Sequence, residues 1–214
     1  VTLVFQRPAA LSGSAEMNVR AALLGKGIPE EVKRQRVTRA LDRFDIQALA
    51  SHDARTLSGG ELRRLALARA FVLEPEVLLL DEPFDDLDAE GQRILSLDLQ
   101  QAIEDTNVAV AMVTHDLRRA LLLADRIAVL APGRLAQHGL RDEVLLRPNT
   151  RDIARTVGMT NLASGRVCRQ AGGVSWIQIE PGFEVPTTAA LNPEQEAMPS
   201  APESPYRLSV SSGE

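Results

Sequence analysis

Short apolar segments alternate with amphipathic segments through the middle of the chain, and this alternation constrains the fold more than any other feature. The predicted elements, in chain order, are the helix Ser58–Leu73, the strand Val77–Leu80, the helix Ala89–Glu104, the strand Val108–Val113, the helix Leu117–Ala124 and the strand Ile127–Leu130. Strands that alternate with helices usually pair in parallel and carry helices on both faces of the sheet. We therefore expect an α/β fold around a covered parallel sheet.

The regions on either side have weaker patterns. Val1–Phe5 is typical of a short buried strand, Arg7–Gly13 of a loop, and Pro29–Ala50 has apolar residues at the spacing of an amphipathic helical layer. After Gly139 the pattern loosens. It predicts short helices near residues 142–146 and 153–157.

Two further features are predicted near the carboxyl terminus. Gly165–Arg169 and Val174–Ile179, joined by a glycine-containing turn, predict a β-hairpin. From Pro186 onward, prolines interrupt a segment that is poor in apolar residues. This composition indicates a partly disordered tail or the remnant of a small β-domain.

Composition excludes several classes of protein. Of the 214 residues, 44% are hydrophobic, which is enough for an ordinary core. The longest apolar stretches, such as Val108–Val113, are far shorter than the roughly 18–20 residues of a membrane span. The net charge of −5, with both signs interspersed, disfavours a nucleic-acid partner. A single cysteine, Cys168, excludes an internal disulfide framework.

Polar side chains with catalytic potential follow two of the predicted strands. Asp81 and Glu82 end one strand, and Thr114 and His115 follow the next. The carboxyl ends of parallel strands meet at one edge of the sheet, where ligands bind in open α/β folds. Two carboxylates at the tip of a buried strand are costly unless a cation or a chemical task stabilises them. Asp81 and Glu82 are therefore candidates for binding a cation or for catalysis.

The first helix of the alternating region begins with an unusual turn, Ser58-Gly59-Gly60-Glu61. Ser58 and Glu61 have the spacing of a capping box, which is a common helix start. Two glycines in a first turn cost helix stability unless some group must approach the backbone closely. A helix N-terminus without side chains binds anions. We interpret this turn as an anion-binding helix start.

Taken in order, these motifs resemble those of the ATPase subunit of ABC transporters. The matching positions are Gln6, Ser58–Glu61, Asp81–Glu82, Asp88 and His115. The resemblance covers residues 1–139 well and extends more loosely to residue 167. It implies a P-loop NTPase fold truncated at its N-terminus. The partial ATPase domain would span residues 1–140, with a helical subdomain at about 8–57, followed by a connector at 141–160 and a β-rich appendage and proline-rich tail at 161–214.

The resemblance also implies a role for each matching residue around ATP and Mg²⁺. Asp81 would hold Mg²⁺, mostly through water, and Glu82 would act as general base on the attacking water. His115 would contact the γ-phosphate and orient that water. Gln6 would touch Mg²⁺ and the water and would move with the transmembrane partner.

The remaining matches imply a site shared between two copies of the subunit. The Ser58–Glu61 segment of one subunit would contact the γ-phosphate of ATP held by the other, and Asp88 would lie in the ATP-binding loop at the dimer seam. Asp85 and Asp86 precede it, where the family more often has small residues. They add negative charge near that seam.

The implied partners are transmembrane permease subunits, a second ATPase subunit and, indirectly, a substrate-binding protein, with no nucleic acid. The implied location is cytoplasmic, peripheral on the inner face of the plasma membrane. Val4–Pro8, Gly158–Leu162 and Gly165–Val167 resemble importers of the oxyanion group, notably those for tungstate or molybdate.

Two other classes share these motifs. A soluble ABC-type ATPase acting on nucleic acid or ribosomes usually carries coiled-coil insertions or paired ATPase halves, and the sequence has neither a sustained heptad run nor a duplicated motif set. A non-catalytic, regulatory relative is the second alternative. A dead site would have no need for Glu82 and His115, so the importer subunit is our leading hypothesis.

A phosphate-binding loop of the form G-x-x-x-x-G-K-[ST] does not occur in the 214 residues. The Gly25-Lys26 pair has Arg20 where the loop needs a glycine, and Gly27 where it needs Ser or Thr. Electrostatic clamping of phosphates provides most of the catalysis in phosphoryl transfer. We therefore expect the isolated chain neither to bind nor to hydrolyse ATP, whereas its full-length parent does both. Mg²⁺-dependent ATP turnover by the isolated chain would contradict this expectation.

Overall fold

The computed structural model describes residues 1–159, 165–180 and 183–187. The chain divides into two compact units, Val1–Leu123 and Ala124–Glu214. Among the described residues, every helix is too short or too polar to cross a lipid bilayer.

The first unit contains three strands and five α-helices. In chain order they are β1 (Thr2–Val4), α1 (Ala15–Ala21), α2 (Glu30–Arg43), α3 (Gly59–Phe71), β2 (Val77–Asp81), α4 (Ala89–Thr106), β3 (Ala109–Val113) and α5 (Leu117–Leu123). Two short 3-10 helices, Gln47–Leu49 and Ala54–Thr56, connect α2 to α3.

The strands of this unit form one parallel sheet in the order β1-β2-β3. Val4 lies opposite Leu80, and Leu80 lies opposite Met112. This register brings the carboxyl ends of all three strands to the same edge, which we call the carboxyl edge. The predicted parallel pairing of these strands is confirmed.

The sheet is covered on one face only, in contrast to the prediction. Val4, Leu78 and Leu80 belong to a single hydrophobic core with residues of α1 to α4. On the opposite face Leu3 and Val113 are 45% and 56% exposed. Side chains alternate between the two faces of a strand, and no described element of this unit packs over the second face. Val1–Phe5 is accordingly half-buried rather than buried.

The helical layer extends beyond the segment 29–50 that periodicity indicated and stays within the 8–57 range that the resemblance implied. The helix α1 was not predicted, although Ser14 caps it by accepting a hydrogen bond from the backbone N–H of Met17. The predicted layer Pro29–Ala50 contains α2 and then a 3-10 turn. Asp45, at a positive φ of 51°, lies between these two helices. The rings of Phe44 and Phe71 pack 5.2 Å apart and join the layer to α3.

The second unit begins with an antiparallel pair, β4 (Arg126–Ala131) and β5 (Arg134–Leu140). The predicted strand Ile127–Leu130 lies in β4, which is paired with β5 rather than with the parallel sheet. The strand β5 was missed. The tight turn that forms this pair contains Gly133 at a φ of 71°, a conformation that glycine adopts without strain.

Two helices and a second sheet follow among the described residues of this unit. The helices are α6 (Arg141–Leu146) and α7 (Arg151–Thr156), and the strands are β6 (Arg166–Ala171), β7 (Val174–Glu180) and β8 (Phe183–Thr187). The predicted hairpin corresponds to β6 and β7, which pair antiparallel, and the third strand was not predicted. Pro186 lies in that third strand, opposite Trp176. The rest of the predicted tail, and residues 160–164, lie outside the described residues.

Candidate catalytic site at the carboxyl edge

The pairing of β2 with β3 places Glu82 next to His115. Asp81 lies opposite Val113 in the register, and the backbone N–H of Glu82 donates to the carbonyl oxygen of Val113 at 3.0 Å. The chain beyond β3 then passes through Thr114 to His115. Residues that are 33 positions apart in the sequence therefore meet at the carboxyl edge.

Glu82 has a strained backbone. Its φ is +43°, in the left-handed region that glycine favours and other residues rarely adopt. A residue held there costs on the order of 1–3 kcal/mol, and such positions cluster at functional sites. The strain indicates that the direction of this side chain matters more than local stability. The sequence carries no signal of it.

The carboxylate of Glu82 contacts His115 at two points. One carboxylate oxygen, Oε1, lies 3.1 Å from the ring atom Nδ1, and the other, Oε2, accepts a hydrogen bond from the backbone N–H of His115 at 3.4 Å. The side chain of Glu82 is 17% exposed, whereas that of His115 is 76% exposed. The pair therefore presents an open imidazole above a half-buried carboxylate.

The acidic surroundings favour the protonated form of His115. The pKa of His115 is raised above its ordinary value of 6.5. The hydrogen bond to Glu82 is the largest cause, and the negative charges of Glu82 and Asp85 add to it. In its protonated form the imidazole can donate a hydrogen bond to a phosphate oxygen. Asp85 is the second acid near the ring, with Oδ1 lying 3.9 Å from Nδ1.

Gln6 reaches the same edge from β1. Its side-chain Nε2 donates to Asp85 Oδ2 at 2.9 Å. The backbone carbonyl oxygens of Gln6 and Asp85 both accept hydrogen bonds from the guanidinium of Arg63. The structure thus brings together three predicted site residues, Gln6, Glu82 and His115.

Sequence reasoning gave no site role to Arg63 or Asp85. A signal for Arg63 was present, because it lies four and seven residues before Leu67 and Ala70, on the buried face of α3. A charged residue on that face needs partners inside the protein. For Asp85 the signal was its departure from the small residues more usual in the resembling family.

Asp81 and Gln6 have the donor types that Mg²⁺ prefers. Magnesium takes oxygen ligands, usually one or two carboxylates with several waters. Asp81 ends β2, and Gln6 stands two residues beyond the end of β1, so both lie at the carboxyl edge. The carboxylate and amide oxygens of these residues fit such an ion.

The predicted capping box at the start of α3 is present. Ser58 Oγ accepts from the backbone N–H of Glu61 at 3.4 Å, and the backbone N–H of Ser58 donates to Glu61 Oε2 at 2.8 Å. This backbone donor and the Ser58 hydroxyl lower the pKa of Glu61. Gly59 and Gly60 provide the remaining backbone N–H groups of the first turn, which have no acceptor inside the helix.

The two glycines are not required by packing within the described chain. A Cβ added at Gly59 would meet no atom within 4 Å, and one added at Gly60 would lie 3.9 Å from Leu87. Neither has a positive φ. The open space beside this turn therefore faces outward and remains available to another molecule.

Asp88 caps a helix in this structure. Its carboxylate accepts from the backbone N–H of Gly91 at 2.8 Å at the start of α4. Asp116 does the same before α5, accepting from the backbone N–H of Arg118 at 2.9 Å. The ATP-binding role of Asp88 stays a prediction.

The contact between Glu82 and His115 predicts a pH response that nuclear magnetic resonance can measure. Because the pKa of His115 is raised, its stabilising contact is complete below about 6.5 and is lost as the pH rises through the raised pKa. Glu82→Gln removes the charge and should lower the pKa of His115 toward 6.5. The ring signal is assigned by its absence in His115→Gln. A wild-type pKa at or below 6.5 would contradict the contact.

The outward-facing space at Gly59 predicts that alanine is tolerated there. Because alanine restricts the unfolded chain, Gly59→Ala should raise the free energy of unfolding by about 0.5 kcal/mol in denaturant titrations. Gly13→Ala is the matched control, since Gly13 has a φ of 110° and the new Cβ would lie 3.3 Å from Met17. That control should lose on the order of 1–2 kcal/mol. A comparable loss in Gly59→Ala would show that folding, rather than a ligand, requires the glycine.

Comparisons with known proteins show which family the chain resembles. Residues 1–85 match the sequence profile of the family described as "ABC transporter". The chain is 41% identical over 143 residues to the sulfate/thiosulfate import ATP-binding protein of Methylococcus capsulatus, a match that covers 67% of this chain and 41% of the relative.

Two other relatives are named for different substrates. The spermidine/putrescine import ATP-binding protein of Thermobifida fusca is 36% identical, with 79% of this chain and 44% of the relative covered. The molybdate/tungstate import ATP-binding protein of Thermococcus kodakarensis is 35% identical, with 76% and 51% covered. The chain thus spans about half the length of the curated relatives that it matches.

A solved structure extends the match to the fold. It is cbiO1 from Clostridium perfringens, part of the ABC transporter complex cbiONQ, with 30% sequence identity and a TM-score of 0.63. The match covers 74% of this chain and 63% of that chain. On these matches the chain is a relative of the ATP-binding subunits of ABC importers, and its fold is the ABC ATPase fold.

Proposed function

We propose that this chain supplies the catalytic machinery of an ATP-hydrolysing subunit that drives an ABC importer. The contact between Glu82 and His115 at the carboxyl edge carries the proposal. It joins a strained, half-buried carboxylate to an exposed imidazole whose protonated form that carboxylate stabilises. A general base beside a proton donor is what hydrolysis of a phosphoanhydride needs.

The two residues have complementary tasks in this mechanism. The Glu82 carboxylate accepts a proton from a water molecule while the oxygen of that water bonds to the γ-phosphorus. The bond between the γ-phosphorus and the bridging oxygen breaks, and ADP is the leaving group. The protonated His115 donates a hydrogen bond to an oxygen of the transferred phosphoryl group. Mg²⁺, held through Asp81 and Gln6, neutralises phosphate charge when it is bound.

The turn Ser58–Glu61 would act on the nucleotide of a second subunit. Its free backbone N–H groups and the dipole of α3 favour a negatively charged group, and the space beside Gly59 is open. A phosphate held at the carboxyl edge of the partner copy is such a group. We therefore propose a dimer with two ATP molecules between its subunits.

This function requires partners that this chain does not contain. Closure of the dimer would move transmembrane permease subunits, which receive cargo from a substrate-binding protein. The subunit would accordingly lie peripherally on the cytoplasmic face of the plasma membrane. The relatives and cbiO1 support this assignment, because their names describe import proteins and a transporter complex.

For the cargo we propose an oxyanion such as tungstate or molybdate. Gly158–Leu162 and Gly165–Val167 resemble oxyanion importers, and the matched relatives include a sulfate/thiosulfate and a molybdate/tungstate import protein. A polyamine is the competing cargo, named in another relative. Stimulation of ATP hydrolysis by a binding protein loaded with spermidine, and not with tungstate or molybdate, would overturn the oxyanion assignment.

Glu82→Gln tests the catalytic role directly in the intact subunit assembled with its permease. The amide keeps the size of the side chain but cannot take a proton, so kcat should fall by about 10²–10⁴-fold while ATP binding persists. Glu90→Gln is the matched control, because Glu90 is an exposed acid on α4 that pairs with Arg93 at 2.7 Å. Its kcat should be unchanged. Turnover by Glu82→Gln close to that of the wild type would refute the proposal.

A further inference from the structure

Arg63 is a buried charge with a specific pair of partners. It is 4% exposed and lies on α3, five residues after the capping serine. Its Nη1 donates to the carbonyl oxygen of Gln6, and its Nη2 donates to the carbonyl oxygen of Asp85 at 2.8 Å. A buried guanidinium without such acceptors would be strongly destabilising. The chain therefore fixes two backbone carbonyls of the carboxyl edge with one side chain.

Asp85 holds the other end of Gln6. Its Oδ2 accepts from Gln6 Nε2 at 2.9 Å. An ionised carboxylate can only accept hydrogen bonds, so it selects the nitrogen end of the amide. The oxygen Oε1 of Gln6 is then left for a different partner. Without Asp85 the side-chain amide of Gln6 could rotate by about 180° and present its nitrogen, rather than its oxygen, to a cation.

We propose that Arg63 and Asp85 are positioning residues for Gln6, Arg63 by fixing its backbone and Asp85 by orienting its amide, so that Oε1 serves as a metal ligand. This inference rests on the proposed function, because the metal ion is the one that accompanies ATP. Neither residue touches the nucleotide or the ion in this scheme, so both act on the ion through Gln6.

The arrangement also links the two halves of the composite site. Ser58 and Arg63 are on the same helix, α3 together with its cap. In the proposed dimer the first turn of this helix would face the nucleotide of the partner copy, while Arg63 binds the carbonyl oxygen of Gln6 in its own copy.

The first test reads Gln6 without any ATP. Selective ¹⁵N-glutamine labelling of the full chain shows the side-chain NH₂ signals, and Gln6→Ala identifies the one from Gln6. Asp85→Ala should shift this signal and leave the other glutamine signals in place. Glu90→Ala is the control, because it removes an exposed acid that pairs with Arg93 and not with Gln6, and it should leave the signal of Gln6 unshifted. An unshifted signal in Asp85→Ala would overturn the inference.

The second test measures how ATP hydrolysis by the intact subunit depends on the Mg²⁺ concentration. Asp85→Ala should raise the Mg²⁺ concentration for half-maximal ATP hydrolysis by about tenfold, the loss expected for one charge-assisted hydrogen bond. Gln6→Ala should have the same effect, and the double variant should add nothing further. Asp85→Asn keeps one acceptor oxygen and should restore part of the affinity.

The outcomes distinguish failure of the positioning role from failure of the proposed function. Additive effects of Asp85→Ala and Gln6→Ala, in an active enzyme, would overturn the positioning role and leave the proposed function intact. Absence of ATP hydrolysis in the wild-type complex would refute the proposed function, whereas the signal of Gln6 would still report its contact with Asp85. Arg63→Lys keeps the charge but loses the planar fork, so it should raise the Mg²⁺ requirement if it folds.

Discussion

The parallel pairing of β2 with β3 is the constraint on which the rest of the site depends. The register sets Asp81 opposite Val113, and the next hydrogen bond, from Glu82 to Val113, brings the Glu82 carboxylate beside His115. A shift by one residue would turn Leu78 and Leu80 from the core to the open face. Burial of these leucines therefore fixes the contact between Glu82 and His115 as well as the fold.

Much of this arrangement could be predicted because it follows from periodic patterns. Apolar strands that alternate with helices required a parallel sheet, and parallel strands required that Glu82 and His115 share an edge. The capping box at Ser58 is equally local. The positive φ of Glu82 and the contacts of Arg63 were not predictable, since they depend on packing between residues up to 57 positions apart. The uncovered face was missed because periodicity shows which residues are apolar, not what covers them.

Local stability and function conflict at several positions in the site. Glu82 adopts a strained backbone, Gly59 forgoes helix propensity, and Arg63 keeps a charge in the core. Each departs from what a stable fold alone would select. Glu82 lies at the carboxyl edge, Gly59 lies in the first turn of α3, and Arg63 lies further along the same helix. The proposed chemistry gives each departure a reason: a directed base, an exposed helix start and a fixed metal ligand.

The central claim is that the turn at Ser58 in one copy and Glu82 in the other act on the same ATP. Covalently linked pairs of intact subunits test it. A pair with Ser58→Arg in one subunit and Glu82→Gln in the other keeps one complete site, and we predict that it hydrolyses ATP. A pair with both substitutions in the same subunit, beside a wild-type partner, has no complete site and should be inactive. The reverse result, with activity only in the second pair, would contradict the account.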